Sequence, residues 1–68
     1  ASQSFHLQAL AADIISPDGL SALGLFEVAV AVAILPDSLI RFVRLYRHDG
    51  HVHLDLRTTP QYTFEVIP

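Results

Sequence analysis

The chain contains no cysteine, so neither a disulfide nor a thiolate metal centre can staple it. Lysine, asparagine, methionine and tryptophan are also absent. Positive charge is scarce: the four bases are all Arg, and none occurs before residue 41. The three glycines stand far apart, which excludes a glycine-rich phosphate loop. The serines at 2, 4, 16, 21 and 38 have no His and Asp spaced as catalytic partners, and there is no thiol nucleophile. The sequence therefore reads as a non-enzyme, with no cofactor implied. No basic segment precedes an apolar one at the start, so the expected compartment is the cytoplasm.

What is present is apolar surface. Of the 68 residues, 51% are hydrophobic, enough for one domain spanning 1–68. A chain this short buries only about 60% of its unfolded surface. An apolar excess without staples points to a homo-oligomer or a protein partner.

The net charge of −3 is unevenly laid out. Asp13, Asp18, Glu27 and Asp37 precede every base, whereas Arg41, Arg44, Arg47 and Arg57 share their window with only Asp49 and Asp55. His48, His51 and His53 fall in the same window.

Asp49-Gly50 between two alternating runs is a hairpin signal. A two-residue turn there sets Tyr46 opposite His53, Arg44 opposite Asp55 and Phe42 opposite Arg57. One hairpin face then reads Val43, Leu45, Val52, Leu54, Leu56. The other reads Phe42, Arg44, Tyr46, His48, His51, His53, Asp55, Arg57.

Elsewhere the pattern also favours strands. Residues 4–15 alternate in their first half, although Gln8–Ala12 has helix-forming composition. Ser16-Pro17-Asp18-Gly19 suits either a turn or a helix start. From Phe26 to Leu35, large β-branched residues and alanines alternate at period 2, which predicts a central strand. That run is too short for a membrane span and carries Glu27. A second turn falls at 35–38, a break at 59–61, and a last strand over 62–66.

The expected fold is all-β, a five-stranded antiparallel meander closed into a small barrel or sandwich. The alternative is α+β, with a helix within 4–15 or 17–35.

Three surfaces are candidates for function. Phe42, Arg44, Tyr46, His53 and Arg57 form a binding face for a protein partner. Aromatic rings interleaved with Arg also suit single-stranded nucleic acid, though overall acidity and the lack of Lys disfavour it. Glu27, Ala29, Ala31 and Ala33 form the small-residue face of the central strand, an oligomer interface; Glu27 either pairs there with an Arg of a neighbouring strand or subunit or sits at a strand end on the surface. His48, His51 and His53 have a loose spacing for a transition metal. The function these features support is a self-associating, non-enzymatic structural or interaction subunit. Single-strand nucleic-acid binding and histidine metal binding are the alternatives.

Overall fold

A computed structural model describes residues 11–57 and 60–68. Five elements follow in order: β1 (Ala11–Ile15), α1 (Ala22–Ala33), β2 (Ile40–Tyr46), β3 (His51–Leu56) and β4 (Thr63–Ile67). The fold is α+β, not an all-β meander. Its four strands form one mixed sheet in the order β1-β3-β2-β4. β3 runs antiparallel to both β1 and β2, and β4 runs parallel to β2 at the edge.

The central correction is α1, a helix where period-2 alternation predicts a strand. Helix was the alternative within 17–35, and the residues that decide it are local. The Ser21 hydroxyl accepts from the Gly24 N–H at 3.0 Å, capping the first turn. Leu25 N–H then bonds the Ser21 carbonyl at 2.9 Å. At the far end Ile34 and Leu35 donate to Val30 and Val32, and Pro36 forbids continuation. Ala22, Leu25, Phe26, Ala29, Val30 and Ala33 all turn toward the core. Their spacing of i, i+3, i+4, i+7, i+8 and i+11 is one helix face.

That face lies on β2 and β3. Val43, Leu45, Val52 and Ala33 are fully buried at the contact. Small side chains at 29 and 33 let the helix sit close to the sheet. Two cross-strand rows complete this side: Ala12–Leu54–Val43–Phe64 and Ile14–Val52–Leu45–Val66.

The β2–β3 hairpin forms, and its two faces divide as the alternation requires. Its register differs from expectation. Tyr46 faces His51, Arg44 faces His53 and Phe42 faces Asp55. The turn is four residues wide, closed by Gly50 N–H on the Tyr46 carbonyl at 2.8 Å. Gly50 sits at φ +71°. A two-residue turn would demand left-handed backbone at Asp49 too, at a cost the wider loop avoids. The partner of each residue moves by two positions, so every side chain keeps its face. A bulge between Ile40 and Phe42 then lets Ile40 join the core.

The expected strand over 4–15 is seen from Ala11 to Ile15; its earlier part lies outside the described residues. The following turn closes from Leu20 N–H to the Pro17 carbonyl, with Gly19 at φ +86°. The turn at 35–38 closes from Ser38 N–H to the Leu35 carbonyl. Among the described residues no helix is long and apolar enough to cross a membrane.

Candidate functional site

The helix packs on one sheet face, so the opposite face carries every side chain of the other parity. Three cross-strand rows result, each read from β1 through β3 and β2 to β4. The first is Ala11–Asp55–Phe42–Thr63. The second is Asp13–His53–Arg44–Glu65. The third is Ile15–His51–Tyr46–Ile67.

The middle row is ionic throughout. The imidazole of His53 lies between two carboxylates, with Nδ1 2.8 Å from Asp13 and Nε2 2.9 Å from Asp55. Both contacts are donated hydrogen bonds only when both ring nitrogens carry protons. Arg57 donates to Asp55 from Nε at 2.7 Å and from Nη2 at 3.2 Å. On the other side Arg44 donates from Nε to Glu65 at 2.7 Å and from Nη1 to the Tyr46 hydroxyl at 3.0 Å.

Asp55 is the anchor of this network, at 1% exposure. Burial alone would raise its pKa. The hydrogen bonds and charges of Arg57 and His53 outweigh burial and hold the carboxyl below its ordinary value. The Arg44 guanidinium is pushed up by its bonds to Tyr46 and Glu65, and that of Arg57 by its bond to Asp55.

Aromatic packing completes the face. Phe42 is buried although it points away from the helix. Arg57 covers its ring at 4.1 Å from the centroid, Arg44 approaches at 4.8 Å, and the His53 ring meets it edge-on at 5.7 Å. Tyr46 stacks on His51 at 4.6 Å.

The expected binding face of Phe42, Arg44, Tyr46, His53 and Arg57 is thus brought together. Its groups are spent on one another: each cation is matched by a carboxylate and the central ring is covered. A phosphate would have to displace Glu65 or Asp55 to reach Arg44 or Arg57. Asp13 and Glu65, the two acids that close the network, were not among the expected site residues. Their parity within β1 and β4 was readable, but not which strand each would join.

The expected metal ligands separate. His48 is exposed in the turn, His51 stacks on Tyr46, and His53 bridges two aspartates. Among the described residues no group of three His, Asp or Glu side chains is placed to hold a metal ion. The described serines serve the backbone: Ser21 caps α1, and the Ser38 hydroxyl accepts from the Ile40 N–H at 3.2 Å.

The alanine face also dissolves, because a helix turns successive residues by about 100°. Ala29 and Ala33 enter the core, whereas Glu27 and Ala31 face outward. The same rotation exposes a different apolar surface. Leu23, Val28, Val32, Ile34 and Leu35 are 44–56% exposed on or beside α1, and Leu39 is 67% exposed after it. Glu27 is the one charge on that helix. Among the described residues, the sheet face carries paired charges and the outer face of α1 is half-exposed.

Comparison with known proteins found no matching family model, no matching curated protein and no matching solved structure.

Proposed function

We propose that this chain is a non-enzymatic structural or interaction subunit that self-associates, and that its contact surface is the outer face of α1. One observation carries this reading: an almost uncharged helix buries one apolar face and leaves a second half-exposed. A helix apolar all round belongs in an interior. Each half-exposed Leu, Ile or Val gains on the order of 1 kcal/mol when covered. Six of them contribute appreciably against an association cost of about 4–15 kcal/mol. The sheet face, with its charges matched, then serves stability and faces away from the contact.

Light scattering after size exclusion tests this with the wild type and with Val28→Glu/Val32→Glu. The wild type is expected to run above the mass of one chain at tens of micromolar. The variant is expected to run as one chain with an unchanged circular dichroism spectrum, since both positions are exposed. A wild type that stays monomeric, or a variant that assembles equally well, would refute the proposal.

A further inference from the structure

We infer that Asp18 is a site of spontaneous covalent modification, in which its link to Gly19 isomerises to isoaspartate with water as the sole co-reactant, and that the fold protects Asp49 from the same reaction. The inference is independent of any contact through α1.

The sequence holds two Asp-Gly pairs, Asp18-Gly19 and Asp49-Gly50. In such a pair the side-chain carboxyl lies within ring-closing reach of the next main-chain nitrogen, and glycine leaves that nitrogen unshielded by a side chain. The chemistry balances without an oxidant or a cofactor. The Gly19 nitrogen bonds to Cγ of Asp18. The nitrogen's proton and the carboxyl hydroxyl leave together as water, which closes a cyclic imide. Water then adds to one of the two imide carbonyls, and the C–N bond at that carbonyl breaks. Cleavage at Cγ restores Asp18. Cleavage at the main-chain carbonyl leaves the chain running through Cγ, with the α-carboxylate free.

The two pairs differ in the state of the attacking nitrogen. That nitrogen must give up its proton, so a hydrogen bond made through the proton opposes the attack. The Gly50 N–H is itself the donor that closes the hairpin turn, on the Tyr46 carbonyl at 2.8 Å. The earlier turn is closed by a different residue: the Leu20 N–H meets the Pro17 carbonyl at 3.2 Å. Gly19 lies inside that turn, and its N–H has no hydrogen-bond partner among the described residues. Asp18 and Gly19 are both exposed, and a methyl group added at Gly19 would meet nothing within 4 Å. Water and the closing ring therefore have room.

The remaining aspartates are guarded in other ways. Asp37 precedes Ser38, whose N–H is held by the Leu35 carbonyl at 3.0 Å. Asp13 and Asp55 precede Ile14 and Leu56, whose side chains crowd the nitrogen. The product at Asp18 adds one carbon to the main chain inside the turn and draws the Leu20 N–H away from the Pro17 carbonyl. The Ser21 cap of α1 lies outside that turn and is retained.

Mass spectrometry of the full chain tests the assignment, and the Arg positions suit it. Trypsin separates residues 1–41, with Asp18, from residues 48–57, with Asp49. The chain is incubated in water enriched in heavy oxygen and then digested in ordinary water. Incubation at about pH 5 is acid enough for a carboxyl to lose water and lies above the range in which the Asp55 network is lost. Each passage through the imide adds one heavy oxygen, and electron-transfer fragmentation locates it and distinguishes isoaspartate from aspartate. The ratio of labelling rates, Asp18 over Asp49, is divided by the same ratio measured in urea, where both turns are open and only the intrinsic rates of the two pairs remain. The quotient is expected to be about two- to tenfold, the factor that one ordinary hydrogen bond supplies. Asp18→Glu, which requires a larger and slower ring, is expected to remove the label from residues 1–41 and to leave the Asp49 rate unchanged. A quotient at or below one overturns the inference, and so does label in residues 1–41 that survives in Asp18→Glu.

Discussion

At the scale of single residues, Asp55 does most to explain how a sheet face without a helix can be closed. It is a carboxylate at 1% exposure that accepts from Arg57 and His53, and the pair of donors also shelters Phe42. Asp55→Asn keeps the shape and removes the charge, leaving Arg57 without its carboxylate beside a buried site, while His53 keeps Asp13. Breaking such a pair costs about 3–5 kcal/mol when both partners are buried. Arg57 retains 40% side-chain exposure, so about 2 kcal/mol is the expected loss in urea denaturation. The pH dependence has a definite sign. A folded-state pKa below the ordinary value means that the stabilisation is complete above about pH 4 and is lost as pH falls through the lower, folded value. The stability gap between wild type and Asp55→Asn is therefore expected to be full at pH 5 and to shrink toward pH 3. A gap that persists undiminished at pH 3 would mean that the Asp55 charge is not what the network uses.

At the scale of elements, α1 shows why alternation misleads in an alanine- and valine-rich run. Ala29, Ala31 and Ala33 are equivalent on a strand, yet the helix places Ala33 at 0% exposure and Ala31 outside. Ala33→Val should overpack the helix against Val43 and Leu45 and cost about 1–3 kcal/mol. Ala31→Val should change the stability of the single chain by no more than about 0.5 kcal/mol. Thermal denaturation at concentrations low enough to keep the chains apart would measure both, and equal effects would contradict the helix. Gly50→Ala belongs to this scale too. No atom lies within 4 Å of the added methyl, so its expected cost of about 1 kcal/mol is the left-handed backbone alone. The hairpin was legible because one of its faces is apolar and the other polar, which fixes the parity of every residue. Its exact pairing was not, because a shift of two keeps that parity and only the turn distinguishes the registers. The helix was obscured because polar residues normally mark the outer face, and here that face holds Leu23, Val28, Ala31 and Val32. The ionic row was legible in part: Arg44 and His53 share the hairpin, but Asp13 and Glu65 reach it only through strand pairing between distant segments.

At the scale of the whole molecule, the two sides of the sheet divide the work. Charge is concentrated and matched on the helix-free face, while the helix side is apolar through to its outer surface. This separation makes the two leading readings respond oppositely to salt. Binding to single-stranded nucleic acid through Arg44 and Arg57 releases counterions and must weaken steeply as salt rises. Association through the outer face of α1 involves only Glu27 near its margin, and apolar burial is little affected by screening. Raising sodium chloride from about 50 to 500 mM is therefore expected to change the self-association constant by less than about threefold, with any change toward tighter binding as the Glu27 charges are screened. Sedimentation across that salt range measures the response directly. A dimer that dissociates tenfold or more more readily at high salt would move the contact from the helix to the Arg-bearing sheet face. There Arg44 and Arg57 would have to exchange their own carboxylates for those of a second chain.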